Sequence, residues 1–166
     1  MTYSAEILSG ILGAIIGGGF TLVGSHYTIS RQFKEQRRMD YEKEINGHLV
    51  ALKSIKTETI HNVEQLKRML HTIEERNLGA LNFLELKITS NIHMNKWFKH
   101  SDALEVMGNQ SSLHRVKEFY TKISLVNSLN SISKSRAVTE INDGIEVIEI
   151  LNSYIEHYER MNSNEQ

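Results

Sequence analysis

Residues 7–30, ILSGILGAIIGGGFTLVGSHYTIS, carry no charged side chain, and RQFKEQRR follows at once. A helix crosses a bilayer core with about 20 mostly apolar residues. The run therefore predicts one N-terminal transmembrane helix. The preceding MTYSAE has no basic side chain, which a cleaved signal peptide requires, so the segment is expected to remain as an anchor. Positive charge stays on the cytoplasmic side. Arg31, Lys34, Arg37 and Arg38 all follow the run. The expected placement is a single-pass protein of the cell membrane, N-terminus out and C-terminal domain cytoplasmic.

Small residues recur along the same run. Gly10, Ala14 and Gly18 are spaced by four, as are Gly13, Gly17 and Thr21, and Gly24 extends the same side. In lipid, helices associate by close backbone approach at small residues. These seven positions are the candidate helix-association residues, for self-association or for docking on a membrane-protein partner. Glycine is also common in membrane helices generally. Arg31, Lys34, Arg37 and Arg38 are candidates for anionic lipid headgroups as well as a topology signal.

Beyond the anchor the pattern turns helical. Ile45, Leu49, Leu52, Val63, Leu66, Leu70 and Ile73 keep the four-three spacing of a packed seam, interrupted by Lys56 and Thr59. One helix over 31–76 would be roughly 70 Å long at 1.5 Å per residue. Asn46-Gly47 is a weak point within it. The seam reads as a core face in preference to a dimeric coiled coil, because its repeat is short and interrupted. Asn77-Leu78-Gly79 reads as a helix end and turn. LNFLELKITS fits either a short helix or an extended stretch. Ser101 or Asp102 is expected to cap a short helix through Met107. Val116, Phe119, Tyr120, Ile123, Val126 and Leu129 line one face of a helix over 111–130. SLNSISKSR reads as a break. A last helix is expected over 137–161, with Ile141, Ile145, Ile148, Leu151, Ile155 and Tyr158 on its face. The fold class expected is all-α: a transmembrane helix (1–30), an antiparallel cytoplasmic helical bundle (31–161) and a frayed tail (162–166).

Composition supports helix and narrows chemistry. The 166 residues include no proline and no cysteine. Proline is excluded from helix interiors but common in loops, so its absence suits a nearly all-helical chain. Without cysteine there are no disulfides, thiolate nucleophiles or cysteine zinc sites. Net charge is −1, but 31–38 is basic and 140–166 is acidic. A domain-wide basic field for nucleic acid is absent, so no specific nucleic-acid partner is expected.

Eight histidines raise the question of metal. None forms HExxH, and His93 and His100, seven apart, have no carboxylate placed to complete a ligand set. There is no nucleophile-elbow sequence. Gly17-Gly18-Gly19 lies inside the apolar run with no lysine after it, unlike a phosphate loop. No catalytic residue, metal site, cofactor or small-molecule substrate is expected. Trp97 and Phe98, between Lys96 and Lys99, are candidate partner-binding anchors, although such a pair more often packs between helices.

GAIIGGGFTLVGSHYTISRQFKEQRR, IKTETIHNVEQL, NKWFKHSDAL and VKEFYTKISLVNSLN resemble small bacterial membrane proteins, often of phage or other mobile elements, with a Gly-rich anchor and a helical cytoplasmic domain. The resemblance lies in architecture. It implies no catalytic residue, and some such prophage proteins act in superinfection exclusion. The function expected is a noncatalytic, membrane-tethered interaction protein at the inner face of the membrane, acting in phage exclusion or host defence. The alternative is an oligomeric effector that permeabilises the membrane through its Gly-rich helix.

Overall fold

The computed structural model describes residues 3–83, 91–105, 110–129 and 131–163, with side chains described from Gly24 onward apart from Gln110. The elements are α1 (Tyr3–Glu75), β1 (Ala80–Asn82), α2 (Asn95–Glu105), α3 (Gln110–Leu129), β2 (Ser131–Ser133) and α4 (Lys134–Ser163). By contacts the chain divides into two units, Met1–Glu44 and Ile45–Gln166. All elements after α1 belong to the second.

The expected membrane anchor and single-pass placement are corrected. Among the described residues no helix is long and apolar enough to cross a membrane. From Gly24 onward, α1 has only the uncharged stretch Gly24–Ser30 before Arg31, and charged side chains then recur at Lys34, Glu35, Arg37, Arg38 and Asp40. Of the small-residue stripe, Gly10, Gly13, Ala14, Gly17, Gly18 and Thr21 lie outside the residues whose side chains are described. Gly24 is exposed, and a Cβ built there meets nothing within 4 Å. In the same unit Arg31, Lys34, Arg37 and Arg38 are exposed, and Arg38 Nε lies 3.2 Å from Glu42 Oε1.

The second unit is a helical bundle with a small β ribbon. Asn46-Gly47 does not break α1, which runs unbroken to Glu75. The seam is buried at Ile45, Leu49, Leu52, Val63, Leu66 and Ile73, and Met69 takes the place expected for Leu70. Each large aliphatic side chain so enclosed contributes about 1.5–3 kcal/mol relative to exposure. The helix ends through Asn77, at φ 50°. Leu78 N–H donates to the Ile73 carbonyl at 2.9 Å and Asn77 N–H to that of Glu74 at 3.1 Å. This is the paired closure of a Schellman end, with asparagine tolerating the left-handed position usually given to glycine.

β1 and β2 pair antiparallel, with Leu81 opposite Ile132, both buried. Of the two alternatives for LNFLELKITS, Leu81 and Asn82 take the extended one, while 84–90 lie outside the described residues. The expected break at SLNSISKSR contains a strand that leads directly into α4. Ser133 Oγ then accepts from Arg136 N–H at 3.3 Å, an N-cap for α4.

Within this unit α4 runs antiparallel to the C-terminal part of α1. Lys53 pairs with Glu159 at 2.7 Å, and Glu74 with Lys134 at 2.9 Å. α3 and α4 are antiparallel too, with Lys122 bonded to Asp143 at 2.8 Å and Arg115 at 3.6 Å from Glu146. The hydrogen bond to Asp143, joined by one to Glu118, holds the Lys122 ammonium well above the usual lysine range. Val116, Phe119, Tyr120, Ile123 and Val126 are buried as their spacing predicts, whereas Leu129 is exposed. On α4, Ile141, Leu151 and Ile155 are buried, while Ala137, Gly144 and Val147 take inner positions and Ile145 is turned outward.

Gly144 sets the closeness of this packing. A Cβ there would overlap Val63 Cγ2 and lie 3.0 Å from Phe119 Cε2. Glycine at this position lets α4 approach α1 and α3 together.

Candidate interaction site

One face of α1 carries Glu58, His61 and Asn62, at the three- and four-residue spacing that aligns side chains on a helix. All three reach the segment 91–97. Asn62 clamps the His93 backbone, with Nδ2 donating to its carbonyl at 2.7 Å and Oδ1 accepting its N–H at 2.8 Å. His61 Nε2 lies 2.8 Å from the Asn91 carbonyl and therefore donates to it. His93 stacks on His61, with ring centroids 4.3 Å apart and an interplanar angle of 16°.

Glu58, 5% exposed, supplies the start of α2. Its Oε2 accepts Lys96 N–H at 2.8 Å and its Oε1 accepts Trp97 N–H at 2.9 Å. Helix N-termini leave several amides without intrahelical partners, and here a carboxylate from another helix satisfies two of them. α2 therefore starts at Asn95 and ends at Glu105, not at the expected Ser101 or Asp102 cap. Lys96 and Lys99 fall near its N-terminal end, where the helix dipole disfavours positive charge. Glu58 offsets that mismatch.

The aromatic pair divides between a half-buried stack and the open surface. Trp97 stacks on Tyr120, at 4.7 Å and 9° between planes. Tyr120 is fully buried. Its hydroxyl lies 3.1 Å from Thr59 Oγ1 and donates to the Ile55 carbonyl at 3.3 Å. Burial pushes the phenol far above its ordinary range, so it stays a protonated donor. Thr59 thus interrupts the apolar seam because it serves this contact. One residue on, a helix turns by about 100°, and Phe98 is left 69% exposed. Beside them a cleft of about 370 Å³ is lined by Trp97, Ser101, Leu104, Leu113, His114 and Lys117. His100 is held below the usual imidazole range, first by burial and then by the charges of Lys99 and Lys96.

The two sequence candidates therefore have different roles: Trp97 is a packing residue and Phe98 an exposed apolar one. His93 is joined by His61, not by His100. Nothing in the local sequence pairs positions 61 and 93; their meeting follows from Asn62 and Glu58 docking the segment 93–97 on α1. Among the described residues, no group of three or more His, Asp or Glu side chains is placed to hold a metal ion. Compared with models of known families, with curated proteins and with solved structures, the chain matches none of them.

Proposed function

We propose that this chain is a noncatalytic interaction protein whose second unit binds a protein partner through α2. The observation that carries the proposal is Phe98: a large aromatic side chain 69% exposed on a helix that is otherwise tightly fastened. The Glu58 cap and the Trp97–Tyr120 stack hold α2 at the residues just before it. An aromatic anchor presented on a fixed support loses little freedom on binding, and such anchors dominate interface energetics. The Trp97-floored cleft supplies a neighbouring hollow for a partner side chain.

The test is in-cell photo-crosslinking from position 98, with exposed Thr121 as the control position, followed by mass spectrometry. One protein captured from position 98, absent from the control and lost on prior binding of unlabelled wild type, supports the proposal. The same captured set from both positions overturns it.

A further inference from the structure

In the first unit, α1 is exposed at every position from Gly24 to Arg38, and its two sides differ in chemistry. An α-helix turns by about 100° per residue. That places Arg31, Lys34, Arg37 and Arg38 on one side, together with Tyr27, Ile29 and Phe33. The opposite side carries Ser25, Thr28, Gln32, Glu35 and Gln36. All the cations of the stretch therefore share one side, and its single carboxylate, Glu35, faces away from them. We infer that the cationic side is a docking surface for an anionic lipid bilayer, along which the helix lies without crossing it. The inference concerns the first unit alone and does not depend on the surface at Phe98.

The two kinds of side chain sit in rows. Tyr27, Arg31, Lys34 and Arg38 are spaced by four, three and four, so they align along the helix. Ile29, Phe33 and Arg37, each four apart, form a second row on the flank of the first. Tyr27 is 70% exposed, Phe33 58% and Ile29 49%. Arg38 is paired with Glu42 at 3.2 Å. Among the described residues, Arg31, Lys34 and Arg37 have no carboxylate partner. Asp40 falls back on the Phe33 side and brings the first negative charge there, so the surface ends before it. From Gly24 to Arg38 it is about 20 Å long.

Charge and apolar exposure together define the occupant. A polyanion satisfies the cations, but a nucleic-acid backbone is contacted through phosphate and sugar and gives Ile29 and Phe33 nothing apolar to bury against. An anionic bilayer surface offers both chemistries at one depth. Lipid phosphates attract the Lys and Arg heads, and the boundary with the acyl chains takes aliphatic and aromatic side chains from a helix lying in the plane. The long stems of Lys34 and Arg37 let their charges reach the phosphates while Phe33 between them sits deeper.

The test uses the full-length protein, whose lack of cysteine allows one nitroxide label at a time through Ile29→Cys, Phe33→Cys, Gln32→Cys or Gln36→Cys. Each labelled protein is titrated with mixed phosphatidylcholine–phosphatidylglycerol vesicles and with vesicles of phosphatidylcholine alone. With the anionic vesicles, positions 29 and 33 should become accessible to oxygen and shielded from a water-soluble nickel chelate, at headgroup depth, while 32 and 36 stay in water. Phosphatidylcholine alone should leave all four in water. Adding Lys34→Gln and Arg37→Gln to the Phe33→Cys protein should raise the lipid concentration at half-signal about 25-fold, about five-fold for each charge removed. Positions 29 and 33 left in water, all four shielded alike, or an unchanged half-signal in the charge variant overturns the inference. A DNA duplex that strips the protein from the anionic vesicles at the same salt assigns the cations to a nucleic-acid backbone and overturns it as well.

Discussion

Gly144→Ala puts two opposing effects in competition. In an exposed helix the change would stabilise, by about 1 kcal/mol, because alanine is the better helix former. Here the added Cβ overlaps Val63 Cγ2 and lies 3.0 and 3.2 Å from two Phe119 ring atoms. Val63 is buried in α1 and β-branched, so one rotamer dominates and it cannot swing aside. Phe119 is 1% exposed and packed against Tyr120. Relief therefore requires α4 to move, and overpacking of that kind costs about 1–3 kcal/mol, sometimes more. The net expectation is a loss of about 2 kcal/mol, seen as a lower urea midpoint with an unchanged slope. Val63→Ala alone also destabilises, but the double variant should lose at least about 1 kcal/mol less than the sum, since Val63→Ala removes the colliding methyl. A Gly144→Ala protein as stable as wild type, or more so, would refute the close-approach argument.

Glu58→Ala should uncap α2 and cost about 1–3 kcal/mol, with hydrogen exchange at the Lys96 and Trp97 amides accelerated more than at α3 amides. Glu140 is buried, one carboxylate oxygen has no partner among the described residues, and burial raises its pKa. A raised carboxyl contributes stability while protonated, so wild type should lose stability as pH rises from the ordinary carboxylate range through the folded-state value. In Glu140→Gln that slope should be flattened in urea titrations at successive pH values. Asn77→Gly should raise stability by about 0.5 kcal/mol by relieving the left-handed backbone, and Asn77→Val should lower it by about 1–2 kcal/mol, both read from thermal unfolding.

The spacing of apolar residues carries the helices. It places the α3 face correctly from Val116 to Val126, and most of the α1 seam. Three features lie outside what spacing can express. β1 and β2 are three residues each, too short for an alternation to register, and their stability comes from pairing across the chain. The start of α2 is written in Glu58, on another helix. The exposure of Phe98 and the stacking of Trp97 depend on where Tyr120 stands. In α1 the uncharged run suggested a bilayer, but from Gly24 onward the described helix is too highly charged to cross one. The site was half legible: the aromatic pair could be picked out, but not the histidine partner held by Asn62 and Asn91.

The cap on α2 has a consequence for any attempt to work with that segment alone. Eleven residues are too few for a stable helix in water, and the lysines near its beginning oppose the dipole. A synthetic peptide covering 95–105 should therefore be a random coil, because the carboxylate that starts its helix stays behind on α1. A partner that recognises Phe98 reads a shape that exists only in the folded chain, and the free peptide would compete poorly for it.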